Sequence, residues 1–167
     1  MFELKTLHKD AIPAAIAKAE RYRFINDPNA AESICRDILH VDPTNQAVLV
    51  TLILCITDQF ATMGQTLVNS ARELIPKLSS EYQRAYYSGI ICERSGKAHF
   101  HRGTYGAGSV TYEWLREAMS WYEVAEKVHP TGVDDPILRW NSCARMIMSN
   151  KLTPHKDDHG APGFSEG

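Results

Sequence analysis

The residues best equipped for chemistry crowd one stretch of the chain: His99, His101 and Arg102 stand beside Gly103, Gly106 and Gly108. Imidazoles next to mobile backbone amides are suited to holding an anion or a metal ion. With Glu93 upstream, they define a candidate small-ligand or metal-binding loop over residues 93–108. The glycines do not make a phosphate-binding loop, because no Gly-Lys-Ser/Thr follows at the right distance and no strand precedes them. The competing reading is a solvated hairpin tip. A second group of possible ligands, His155, Asp157, Asp158 and His159, falls in a stretch with nothing to orient it, so chance composition accounts for it. No nucleophile with a base, paired-carboxylate motif or His-Glu-x-x-His is found, which weakens an enzymatic reading. The expectation is a non-enzyme that needs neither metal nor cofactor.

The elements that must position any such residues are helices. From about Ala11 to Phe24 the apolar residues Ile12, Ile16, Ala19 and Tyr22 recur at helical spacing, and Asn26, Asp27 and Pro28 stop the run. A second helix, about Asn29 to Val41, carries the stripe Ala31, Ile34, Cys35, Ile38, Leu39. Asp42 and Pro43 end it, and Thr44 or Asn45 can cap the next. The third, about Asn45 to Gln59, is apolar almost all round, which predicts cover on more than one side. Its run from Ala47 to Ile56 is interrupted only by Thr51 and is about half the roughly 20 residues a membrane span requires. Further helices are predicted from Gln65 to Lys77, Ser80 to Gly96 and Thr111 to Val128. A seventh is opened by Asp134, Asp135 and Pro136 and continues through Ile147. From Thr153 onward the polar, breaker-rich residues predict a disordered tail over 153–167 beyond a helical domain at 1–152.

Eighteen basic and twenty acidic residues leave a net charge of −2, so no positive field is available to condense on nucleic acid or anionic lipid. With 167 residues and 44% hydrophobic content, one substantial core can be buried. Cys35, Cys55, Cys92 and Cys143 stand far apart in apolar surroundings without ligand spacing, as buried small hydrophobes do in a reducing compartment. Charges near the N-terminus occupy the place of a signal peptide's apolar run, and the expected location is the cytoplasm.

The prolines that close the second and fourth helices, Pro43 and Pro76, are 33 residues apart. Aligned backward from Pro43, Pro76 and Pro130, three triplets share a register: Ala31, Cys35, Ile38; then Gly64, Val68, Ala71; then Ala118, Tyr122, Ala125. The small residue lets antiparallel helices touch, and the bulky one fills the groove beside it. Ala15, Ala19 and Tyr22 in the first unit, and Ala85, Gly89 and a closing Gly96 in the third, fit the first-helix pattern, although the family's tryptophan is missing. From about Ala11 to Asn150 the chain resembles the tetratricopeptide repeat family. The resemblance implies an all-α fold: a right-handed superhelical stack of antiparallel helix pairs, an α-solenoid of about seven helices with a capping helix at its C-terminal end. Pro76 and Pro130 are 54 residues apart, and the surplus falls at 97–112, either lengthening the helical hairpin or inserting a loop.

In that family the first helix of each pair lines the inner face. By register, the resemblance implies partner-binding positions at Ile16, Glu20 and Arg23, at Leu49, Ile53 and Ile56, at Gln83, Tyr86, Ile90 and Arg94, and at Asn141 and Arg145 on the last helix. The alternative for Leu49, Ile53 and Ile56 is ordinary core, and for the last helix a purely capping role. The family's clamp for acidic C-terminal tails is absent, since the matching places hold Ile16, Glu20, Val50, Gln83 and Tyr87. The implied function is an adaptor that holds a partner protein's peptide or helix on its concave face, with no nucleic acid and no membrane. The alternatives are a homodimer through the aliphatic belt, or the ligand loop at 93–108.

Overall fold

The computed structural model describes residues 1–156, and among them every regular element is helical. After a 3-10 turn at Lys9–Ala11, helix α1 runs Ile12–Phe24 with Pro13 in its first turn, where the missing N–H costs nothing. Asn26, at φ 63°, ends it in the left-handed region that asparagine tolerates. Helix α2, Pro28–Val41, is capped by the Asp27 carboxylate, which accepts from the Ala30 amide at 3.1 Å. Helix α3, Gln46–Thr57, is capped by Asn45, whose side-chain oxygen accepts from Val48 N at 3.1 Å. Ser80 likewise caps the helix that begins at Glu81.

The fourth helix expected from Gln65 to Lys77 is present, and a short helical turn that the sequence did not announce precedes it. A four-residue turn of helix, α4, Phe60–Met63, is followed by Gly64 at φ 71° and only then by α5, Gln65–Leu74, which tightens into a 3-10 turn at Ile75–Lys77. Gly64 therefore makes a bend where the repeat register placed a close helix contact. The other triplet members are buried as the register requires: Ala31, Cys35 and Ile38; Val68 and Ala71; Ala118, Tyr122 and Ala125.

Residues 97–112 lengthen the hairpin. Helix α6 runs Glu81–Arg102 and α7 runs Ala107–Lys127, joined by a tight turn in which Gly103 and Gly106 take φ of 62° and 76°. Gly96 consequently closes nothing. It sits inside α6, where an added Cβ would lie 3.0 Å from Trp114 Cβ, and its role is to bring α6 and α7 together. Thr111 bridges the same contact, donating to the Gly96 carbonyl at 3.2 Å. Helix α8, Asp135–Ser149, follows with Pro136 in its first turn.

Each helix packs on its neighbours in sequence: α1 on α2, α2 on α3, α3 on α5, α6 on α7, and α7 on α8. In addition α3 touches both α1 and α6. Helix α3 is the hub. Val48, Leu49, Leu52, Ile53, Cys55 and Ile56 are all buried, each large aliphatic contributing roughly 1.5–3 kcal/mol by leaving water. Two apolar clusters, one centred on α3 and one between α6, α7 and α8, are joined by Tyr87 and Trp114, which pack against both. All four cysteines are free and buried. Burial pushes the Cys92 and Cys143 thiols up to about 12. Cys35 and Cys55, on α2 and α3, interact side by side, and that hydrogen bond, with burial behind it, raises the Cys35 thiol. Among the described residues no helix is long and apolar enough to cross a membrane.

Candidate functional site

Where α1, α3 and α6 lie side by side, they leave a hollow of about 460 Å³. Ala47, Val50, Thr51 and Leu54 of α3 form its floor. Glu20, Arg23 and Phe24 of α1 make one wall and Gln83 of α6 the other. Phe24 is 91% exposed at the rim, a large apolar surface left to water.

The hollow corrects the inner face expected from the sequence. Leu49, Ile53 and Ile90 are at most 2% exposed, and Ile56 is equally buried, so they present nothing to a partner. The physical reason is cover: α1, α2, α5 and α6 all touch α3 and leave one strip of it open. That strip, Ala47, Val50, Thr51, Leu54, has i, i+3, i+4, i+7 spacing and is turned by about one residue from the assigned stripe. Thr51, the one polar residue in its run, was the available signal. Its hydroxyl donates back to the Ala47 carbonyl at 3.0 Å and faces the open side.

Of the other assigned residues, Glu20, Arg23 and Gln83 line the hollow, and Ile16 is half-buried against the core of α1 and α3. Tyr86 stacks on Tyr82 with ring centroids 5.7 Å apart and meets Tyr87 edge-on at 5.2 Å. Burial raises the hydroxyls of Tyr87 and of Tyr82, the latter to about 12. Asn141 and Arg145 lie on α8, outside the walls of the hollow.

Arg94 ties the helices beneath the rim. Its guanidinium donates to Thr57 Oγ1 at 2.6 Å and to Asp58 Oδ1 at 2.5 Å, while Arg23 donates to the same carboxylate at 2.7 and 3.3 Å. The C-terminal ends of α1 and α3 are thus fastened to α6. One turn further along α6, Lys97 donates to Glu93 at 2.5 Å, and Glu93 also accepts from Tyr122 at 2.6 Å and from Arg139 at 3.4 Å. Glu93 is 1% exposed, and its partners come from α6, α7 and α8. A carboxylate buried this way is stable only because its oxygens are met by donors. Burial, and then the Glu93 charge, hold the Tyr122 hydroxyl protonated. Burial works against the Arg139 cation, but Tyr86 and Glu93 beside it more than offset this and raise its pKa. No sequence motif announced this network, because its members converge from three helices.

The histidine loop is dispersed. Glu93 is engaged by Lys97, Tyr122 and Arg139 and by neither imidazole. The His99 ring stacks on Trp114 at 6.5 Å, with its pKa lowered by burial and then by Arg102. His101 and Arg102 are exposed, and Arg102 donates to the Ala98 carbonyl of its own helix. Among the described residues no group of three or more His, Cys, Asp or Glu side chains could hold a metal ion. Asp157, Asp158 and His159, with most of the 153–167 segment, lie outside the described residues.

No family model, curated protein or solved structure matches the chain.

Proposed function

We propose that the protein is a binding adaptor of tetratricopeptide type, its helix pairs stacked as a right-handed superhelix, which holds a peptide or helix of a partner protein in the hollow between α1, α3 and α6. The observation that carries this is the composition of the hollow: an apolar floor of Ala47, Val50 and Leu54 within polar walls, beside an exposed Phe24. Apolar floors with a polar rim suit a segment that buries one side chain or a short stripe and satisfies its backbone at the edges. The Arg23–Asp58–Arg94 bridge fixes the walls in advance, so little ordering entropy is lost on docking.

The homodimer through the aliphatic belt has less support, because Leu49, Ile53 and Ile90 belong to the protein's own core. A reducing, cytoplasmic setting suits the four free thiols.

Ala47 is exposed on the floor and supports nothing in the core. Ala47→Trp therefore fills the hollow while sparing the fold. Peptides selected on the wild-type protein from a random display library should fail to bind this variant, with helicity by circular dichroism unchanged. Undiminished binding to a folded Ala47→Trp protein removes the hollow as the site.

A further inference from the structure

Resting on the groove reading, we infer that the partner segment is acidic: an amphipathic helix whose apolar stripe meets the floor of the hollow and which carries two carboxylates about one turn apart. The argument is one of charge count and spare donors. Asp58 is shared by Arg23 and Arg94, and Glu93 by Lys97 and Arg139, so each cluster has two cations for one carboxylate. Each therefore keeps a formal surplus of one positive charge, in a chain whose net charge is −2.

These surpluses are reachable yet poorly solvated. The side chains of Arg23, Arg94, Lys97 and Arg139 are 30%, 23%, 35% and 38% exposed. A charge in that position is screened less than one fully in water and attracts an opposite charge more strongly. Donors also remain. Among the described residues Lys97 gives one hydrogen bond of the three an ammonium can make, and Arg139, which bonds to Glu93 and Tyr86, keeps further donors of its five.

The spacing sets the partner's geometry. Arg94 and Lys97 stand at i and i+3 on α6, where side chains are neighbours at about 5–6 Å between Cβ atoms. Two Asp or Glu residues at i and i+3 or i+4 of a docked helix have the same separation. Glu20, exposed one turn before Arg23 on α1, opposes an acid at that wall. The acids accordingly belong on the α6 side of the segment. Unlike a clamp for a chain terminus, this arrangement needs no terminal carboxylate.

The test selects peptides from a random display library on the full chain. Selected peptides should be richer in Asp and Glu than the input, with acids three or four positions apart. Amidating those acids, or introducing Lys97→Gln in the protein, should weaken binding roughly fivefold per contact, and added salt should weaken it further. Lys97→Arg, which keeps the charge, should restore it and controls for loss of folding. Selected peptides with no acidic excess, or unmoved by these substitutions, overturn the inference. The groove reading then still stands if Ala47→Trp abolishes their binding, and falls too if it does not. Displacement of the peptide by a single-stranded oligonucleotide of matching charge would assign the cations to nucleic acid and also overturn the proposal.

Discussion

Replacing Gly89 with alanine should destabilise the protein, although alanine is the better helix former. Gly89 lies inside α6, where a Cβ would stand 2.5 Å from Tyr122 Cε1 and 2.7 Å from Cδ1. Non-bonded carbons prefer about 3.5–4.0 Å, so the overlap is close to 1 Å. Tyr122 cannot yield freely, being fully buried and tethered to Glu93 by its hydroxyl at 2.6 Å. Overpacking of this kind costs roughly 1–3 kcal/mol. If the ring retreats instead, a hydrogen bond to a charged group worth roughly 1.5–3 kcal/mol is lost. Helix propensity returns about 1 kcal/mol. The net expectation is a loss of roughly 1 kcal/mol, a fall in Tm of about 2–4 °C for a chain of this size. The internal control is Gly108→Ala in α7, whose Cβ meets nothing nearer than Leu152 Cδ2 at 3.8 Å and should be neutral or gain up to about 1 kcal/mol. Urea and thermal unfolding followed by far-UV circular dichroism measure both. A Gly89→Ala protein as stable as wild type, or two variants that shift alike, would refute the close approach of α6 and α7 at Tyr122.

Two further outcomes follow from the buried groups. Tyr122→Phe keeps the ring but removes the donor to Glu93 Oε2, and should cost roughly 1–3 kcal/mol in urea titrations; a neutral result would mean the carboxylate finds another partner. His99 has its pKa held below the ordinary 6.5 by burial and by Arg102, so the unfolded chain takes up that proton first as the pH falls. Its contribution is complete above about pH 6.5 and is lost as the pH is lowered through that value. His99→Phe should therefore lose less Tm than wild type between about pH 7.5 and about pH 5.5, and equal losses would rule His99 out as the group responsible.

The helices were legible from the chain because their signals are local. The stripe Ala31, Cys35, Ile38, the caps at Asn45 and Ser80, and the stop at Asn26 each depend on residues within a turn or two of one another. The choice between a lengthened hairpin and an inserted loop at 97–112 was not local. Gly96 reads as a helix end until Trp114 and Thr111 are seen to pack against it from α7.

The inner face shows the same division. An all-round apolar helix such as α3 announces that it is covered, but which strip stays open depends on where α1, α2, α5 and α6 fall, and that turned the exposed side from Leu49 and Ile53 to Val50 and Leu54. Charge behaves likewise. The composition fixed a net charge of −2, whereas the pairing of two cations with each of Asp58 and Glu93 arises only when residues 35, 36 and 46 positions apart are brought together. Periodicity and capping act within a few residues and are written in the sequence. Burial and electrostatic surplus are sums over neighbours that only the packed chain supplies.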